Sequence, residues 1–146
     1  MRTLVGAALL VAACAPGEKP RGAAAGPAQK YAGTFEGRSY RSASDTGTPF
    51  RIIAAVGSDG TLRGTLWFTD GAAPAPPIPV RARQVSDTGL VDEIGPYHSP
   101  TANRDVVTTT TGKLRGDSLN GTFEMRPPGG GTVILRGAFR SKRVAP

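Results

Sequence analysis

The stretch TLRGTLWF, residues 61–68, indicates the fold of this chain because its apolar side chains recur at every second position. Leu62, Leu66 and Phe68 share one side of an extended strand, and the residues between them are mostly polar. Side chains alternate between the two faces of a β-strand, so the pattern predicts a strand with one buried and one solvated face. Gly64 falls on the buried side, which is unusual and needs a reason.

A second stretch, SLNGTFEM at residues 118–125, repeats the pattern with its glycine in the same phase. The same short pattern, a glycine followed two residues later by a large apolar residue, occurs twice more, at Gly33-Thr34-Phe35 and at Gly137-Ala138-Phe139. A glycine inside a strand normally weakens it. Small barrels supply a reason for keeping it, because their strands bend at glycine kinks and their interiors are filled by alternating small and large residues.

The same alternation predicts eight strands, over residues 31–40, 50–56, 61–68, 78–85, 90–94, 105–114, 119–126 and 132–140. Short turns join most of them, and no helical period is present. We therefore expect an all-β fold, an antiparallel meander of about eight strands. A small barrel or barrel-like roll is favoured, with a β-sandwich as the alternative.

Composition limits the classes of protein to which the chain can belong. Its 146 residues are enough for one domain, and 38% of them are apolar. The formal charge of +7 favours contact with anionic surfaces. However, the basic residues are scattered along the sequence, which is typical of solvated strand faces. A single cysteine excludes a disulfide framework within the chain. No window reaches the roughly 18 apolar residues of a membrane-spanning helix.

That cysteine lies at the end of a short apolar run, Leu4–Ala12. The run has the length of the apolar region of a signal peptide. The run ends in Val11-Ala12-Ala13-Cys14, which resembles the lipobox of bacterial lipoproteins. The resemblance implies that the Cys14 thiol receives a diacylglycerol and that cleavage leaves Cys14 as the new N-terminus. An ordinary secretory leader with an incidental cysteine is the alternative.

Together with the composition and the strand pattern, this resemblance predicts three segments. Residues 1–13 are the lipoprotein signal peptide, residues 14–29 are the lipidated cysteine and a flexible tether, and residues 30–146 are a single all-β domain. Ala15 rather than Asp follows the cysteine, which implies an outer-membrane protein facing the periplasm if the organism has two membranes. The membrane, reached through the lipid on Cys14, is therefore an expected partner.

The strand pattern over most of residues 31–143 resembles that of the calycin-type barrels, which include the lipocalin-like and avidin-like proteins. In those barrels an early Gly-x-aromatic strand closes one end, and Gly33-Thr34-Phe35 would be that element here. A further lipocalin signature is not apparent, so the resemblance concerns architecture. An open apolar lumen would favour a small apolar ligand. A lumen filled by Phe35, Leu66, Phe123 and Phe139 would favour recognition at the surface.

The segment EIGPYHSPTANR, residues 93–104, is the longest irregular stretch expected between strands and holds the only histidine, His98. A hydrolase-type enzyme using the 92–105 loop, with His98 as its general base, is therefore one alternative function. No Gly-x-Ser-x-Gly elbow supplies a nucleophile. Asp92 and Glu93 are expected on opposite faces of a strand. We predict no metal site and no cofactor, because no ligand spacing is present.

Trp67 falls on the polar side of its strand, beside a proline-rich loop. An outward tryptophan can mark a contact site. The alternative is that the loop folds over it, or that a bulge in the strand turns it inward. Trp67, Tyr97 and His98 are the candidate binding residues. We expect a non-catalytic, membrane-anchored envelope lipoprotein that binds a small apolar ligand, a lipid or an envelope partner, and no nucleic acid. A structural or inhibitory protein acting through the Trp67 face is the other alternative.

Overall fold

A computed structural model of the chain describes residues 26–71, 73 and 75–145. Eight antiparallel strands form a closed barrel in which each strand pairs with the next and the last pairs with the first. The strands are β1 (Gly33–Tyr40), β2 (Thr48–Val56), β3 (Leu62–Phe68), β4 (Ile78–Val85), β5 (Leu90–Ser99), β6 (Arg104–Arg115), β7 (Ser118–Arg126) and β8 (Leu135–Val144). The predicted all-β fold and small barrel are confirmed, and the sandwich alternative is wrong.

The β2–β3 hairpin shows how the sequence sets the register. Seven consecutive pairs from Phe50–Phe68 to Val56–Leu62 run without a bulge. At the turn, the Asp59 carboxylate accepts hydrogen bonds from the backbone N–H and the hydroxyl of Thr61, at 3.1 and 2.7 Å. Gly60 adopts a φ of 75°, which favours glycine. The turn residues therefore hold the alternation of β3 in phase with that of β2.

Three of the four recurrent glycines, Gly64, Gly121 and Gly137, lie where the backbone of a neighbouring strand approaches too closely for a side chain. A Cβ built at Gly64 would lie 2.5 Å from the carbonyl oxygen of Ile53. One at Gly121 would overlap the carbonyl oxygen of Thr111, and one at Gly137 would overlap that of Tyr40. These close approaches support the prediction of glycine kinks, because they occur along strands that must curve to close the barrel.

A 3₁₀ helix, Pro27–Tyr31, covers one end of the barrel and was not expected from the sequence. Tyr31 is 1% exposed, and its hydroxyl donates to the backbone oxygen of Ser86 at 3.0 Å. We call this the helix end; the β2–β3, β4–β5 and β6–β7 turns lie there. The other end, with the β1–β2, β3–β4, β5–β6 and β7–β8 connections, is the loop end.

β5 and β8 differ most from the strands expected at these positions. β5 runs to Ser99 rather than ending at Ile94. Between Ile94 and Tyr97, the two residues Gly95 and Pro96 lie against one residue of β6, so a bulge absorbs the extra residue and the pairing continues. The irregular loop expected over residues 93–104 is therefore wrong. β8 begins at Leu135 rather than at 132 and continues to Val144, where it pairs with the start of β1. Barrel closure requires that extension, which no local pattern shows.

The barrel interior is occupied by packed side chains. The four side chains that were expected to fill the lumen if recognition occurs at the surface are all buried. They are Phe35 (2% exposed), Leu66 (4%), Phe123 (9%) and Phe139 (9%). Phe50 and Phe139 pack edge to face with ring centroids 6.5 Å apart. Residues 1–25, with the predicted signal peptide, Cys14 and most of the tether, lie outside the described residues. Within the described part of the chain no helix is long and apolar enough to cross a membrane.

Candidate functional site

Trp67 lies on the outer wall of the barrel. β3 has no bulge, so Trp67 keeps the outward phase of its strand and pairs with Arg51 of β2. Ile53, two positions further along β2, also points outward and is 45% exposed. Diagonal neighbours on one face of a sheet are within reach of an aromatic side chain. The two residues therefore form an apolar patch on a wall whose other outward residues are mostly polar.

A groove of about 860 Å³ runs over this patch, and we call it the Trp67 groove. Its floor is the outer wall of β1–β3, with Trp67 and Ile53, and its rim includes Gly71, Ala73 and Ala75 of the β3–β4 loop. Trp67 is partly buried there. The described loop residues Gly71, Ala73 and Ala75 therefore border the groove together with Trp67, which keeps part of its surface exposed.

The Trp67 groove also contains a charged pair. Arg51 donates to the Glu36 carboxylate through both Nε, at 2.8 Å, and Nη2. Both side chains are about half exposed, at 50% and 45%. The groove thus combines an apolar surface with a cation and an anion at its side. Its volume falls within the range of roughly 300–1,000 Å³ that small-molecule sites occupy. Such a surface suits a ligand with an apolar body and one charged end.

Tyr97 points into the barrel, away from Trp67. Its hydroxyl lies 3.0 Å from the Thr108 hydroxyl, and its ring lies 6.2 Å from that of Phe68. Burial raises the pKa of the Tyr97 phenol, and the hydrogen bond with Thr108 opposes that rise. Tyr97 therefore belongs to the interior, where its ring packs and its hydroxyl is hydrogen-bonded.

His98, the next residue, points outward. Its Nδ1 lies 3.2 Å from a carboxylate oxygen of Asp105, its partner across β5 and β6. The side chains are 61% and 71% exposed, and neither borders the Trp67 groove. The loop proposed for an enzyme over residues 92–105 is mostly paired strand. Its His98 and Asp105 side chains lie on an open outer wall of the barrel. The three candidate binding residues, Trp67, Tyr97 and His98, are therefore not brought together in the structure.

Asp92 does not line the Trp67 groove, and its burial was not predicted from the sequence. It is 8% exposed in the barrel interior, where its Oδ2 accepts a hydrogen bond from the Thr110 hydroxyl at 3.4 Å. Burial raises the pKa of the Asp92 carboxyl to about 6, against the smaller effect of Thr110. Glu93 points outward as expected and pairs with Arg83. The position of Asp92 between Leu90 and Ile94, in the inward phase, was the available signal.

In the described residues no group of three or more His, Cys, Asp and Glu side chains is arranged to hold a metal ion. Comparisons of the chain with protein-family models, with curated proteins and with solved structures each gave no match. The geometry of the barrel and the sequence itself are therefore the basis for the function proposed below.

Proposed function

We propose that this protein is a non-catalytic lipoprotein of the bacterial cell envelope that binds an amphiphilic small molecule or lipid in the Trp67 groove. The lipid on Cys14 anchors it, on the outer membrane facing the periplasm in an organism with two membranes. Its barrel acts as a binding module of the calycin-like type. The ligand's apolar part lies on Trp67 and Ile53, and its charged end lies at the Arg51–Glu36 pair.

The Trp67 groove is the observation that carries this proposal. Large apolar side chains fill much of the interior, which favours a ligand bound at the surface. Outside, Trp67 and the 45% exposed Ile53 offer apolar area next to a charged pair. Tryptophan and exposed aliphatic residues are common contacts in ligand sites because they contribute large apolar area.

The lipobox-like Val11-Ala12-Ala13-Cys14 supports the anchoring part of the proposal. Two or more acyl chains hold a protein stably on a membrane, whereas one holds it marginally. The barrel begins soon after this motif, with the 3₁₀ helix at Pro27. An anchored barrel would therefore remain within reach of amphiphiles in or near the bilayer.

Trp67 is the only tryptophan of the chain, so its fluorescence reports directly on the groove. We expect dodecanoate, added below its micelle-forming concentration, to cause a saturable blue shift in the chain from residue 15 onward. Ile53→Ser should weaken binding about tenfold, since burying one aliphatic side chain is worth about 1.5–3 kcal/mol.

Ile134→Ser is the matched control, because among the described residues Ile134 is the other exposed large aliphatic side chain, and it does not line the groove. It should leave the affinity for dodecanoate unchanged. A fluorescence change that does not saturate, or equal weakening by the two variants, would contradict the proposed site.

A further inference from the structure

Five exposed basic residues gather on the wall formed by β6, β7, β8 and β1. We call this surface the basic wall, and its residues are Arg38, Lys113, Arg115, Arg140 and Lys142. They are far apart in the sequence, on three different strands. Strand pairing brings them onto one face, since all five are outward in the alternation of their strands.

The pairing arranges these residues in two adjacent rows across the strands. The first row is Lys113, Asn120, Arg140 and Arg38. The second row is Arg115, Ser118 and Lys142. At the usual strand spacing of about 4.8 Å and rise of about 3.3 Å per residue, the wall measures about 15 by 7 Å.

The basic wall lacks the neutralisation found elsewhere on the barrel. Among the described residues, none of its five cations forms an ion pair. The acids at its margins have other partners: Glu36 pairs with Arg51, and Asp117 pairs with Arg143. Arg38 directs its guanidinium to the backbone oxygens of Thr46 and Gly47.

Arg38 and Arg140 lie directly opposite each other in the β1–β8 pairing. Like charges at such positions destabilise a sheet. An anion bound from outside would remove that repulsion. The wall is therefore complementary to a surface with several negative charges, rather than to a single small ion.

The position of the basic wall on the barrel indicates that the anionic surface it faces is a membrane. Arg115 ends β6, Lys113 lies two residues before it, and Lys142 lies two residues before the end of β8. All three are near the helix end, where Arg143 of β8 also holds the backbone oxygens of Lys30 and Ala32. The chain that leads back to Cys14 reaches the barrel at this same end. A membrane holding that cysteine would lie close to the basic wall.

We propose that the basic wall docks the barrel onto an anionic bilayer, with its five cations against phospholipid head groups. The proposal rests on the lipid anchoring proposed above, which supplies the membrane. The barrel then lies with β6, β7, β8 and β1 against the bilayer. The second row of the wall continues from Lys142 to Glu36, Arg51 and Trp67, so the Trp67 groove is at the edge of the contact.

The test uses the chain from residue 15 onward, which lacks Cys14 and so cannot be lipidated. It contains every strand of the closed ring, each paired on both sides, and therefore the whole folding unit. We expect it to sediment with vesicles containing phosphatidylglycerol and not with vesicles of phosphatidylcholine alone. High salt should release it, because exposed charges are screened.

The double variant Arg140→Gln/Lys142→Gln should weaken vesicle binding about 25-fold, from about fivefold per cation near an anionic surface. Arg81→Gln/Arg83→Gln removes the same charge from exposed positions on β4 and should weaken it much less. Equal weakening by both pairs would overturn the proposal, since it would mean that net charge alone acts. Binding to DNA or polyglutamate in preference to the anionic vesicles would also overturn it. Because Cys14 is absent, neither result depends on lipidation.

Discussion

Asp92 is the one acidic side chain that is buried among the described residues. A carboxylate at 8% exposure with one hydrogen bond has lost most of its hydration and has gained little in return. Its raised pKa is the consequence: the folded barrel holds the proton more tightly than the unfolded chain does. Asp92 therefore favours folding while it is neutral and opposes folding once it is ionised.

We predict a pH dependence of stability that Asp92→Asn removes. Because the pKa of Asp92 rises from 3.8 to about 6 on folding, stability is lost as pH rises between those values. The loss is on the order of 3 kcal/mol, at about 1.36 kcal/mol per unit of pKa. Denaturant unfolding of both proteins should give similar stabilities near pH 4 and a more stable Asn variant at pH 7.

That comparison uses the difference between the two proteins because other carboxyls act in the opposite direction. Hydrogen bonds from the backbone of Arg41 and Gly47 lower the pKa of Asp45 to about 2. Asp59 and Glu124 also have lowered pKa values. All three carboxyls are present in both proteins, so their effects on stability cancel in the difference between the two. A constant difference across this pH range would contradict the assignment of a raised pKa to Asp92.

Gly121 shows the cost of strand curvature at a single position. A Cβ there would overlap the Thr111 carbonyl and lie 2.7 Å from the Cα of Gly112. Gly121→Ala should therefore destabilise the barrel by about 1–3 kcal/mol or more, as other overpacked sites do. Gly89→Ala is the control, since its nearest neighbours would be 3.6 and 3.7 Å away, and it should change stability by less than about 0.5 kcal/mol. Equal midpoints in thermal unfolding would contradict this explanation of the glycines.

At the scale of the elements, the 3₁₀ helix is held by a contact from the C-terminal strand, β8. Arg143 of β8 donates through Nη2 to the backbone oxygen of Lys30, at 2.6 Å, and through Nη1 to that of Ala32. Its guanidinium also lies 4.6 Å from the ring centroid of Phe35. One planar side chain thus joins the helix, β1 and β8, which a single ammonium group cannot do.

We predict that Arg143→Lys loosens the helix end at a cost of about 1–3 kcal/mol, because the carbonyl oxygens lose charged donors. Trypsin should then cleave after Lys30 faster than in the unchanged protein. Arg136→Lys is the control: Arg136 is 70% exposed, pairs only with Glu124 on the surface, and should have little effect. Unchanged cleavage after Lys30 in Arg143→Lys would show that the contact does not hold the helix.

The elements also show where sequence patterns stop being informative. β3 and β7 alternate cleanly, and their predicted bounds agree with the structure to within a residue. The strand expected for β5 ends too early, at residue 94, because Gly95 and Pro96 resemble a loop. In the structure these two residues form a bulge, and the pairing with β6 continues beyond them. The 3₁₀ helix has five residues, too few for a helical period, and its stability comes from Tyr31 and Arg143.

At the scale of the whole molecule, the helix end, the basic wall and the Trp67 groove define an orientation. The anchor predicted at Cys14 would approach the helix end, and the wall would face the bilayer. The loop end would then point away from the point of attachment. This orientation depends on the anchor, so lipidation is the prediction to make at this scale.

We predict that the protein, expressed in a bacterium and labelled with a palmitate analogue, carries the label on Cys14. Cys14 is the only thiol, so Cys14→Ser should abolish both labelling and retention with the membrane fraction. The same barrel should still fold, because Cys14 precedes the closed ring of strands. Equal labelling of both proteins would contradict the lipobox interpretation.

The sequence by itself determined the all-β class, the number of strands and most of their faces, because alternation is a local property that each strand carries. It also identified the inward glycines and placed Trp67 on an outward face. Only the tertiary structure decided that the ring closes, that Asp92 is buried and that Arg143 holds the helix. It also collected Arg38, Lys113, Arg115, Arg140 and Lys142 onto one wall. These features join residues distant in the chain, and their geometry depends on strand register and closure, which no local pattern encodes.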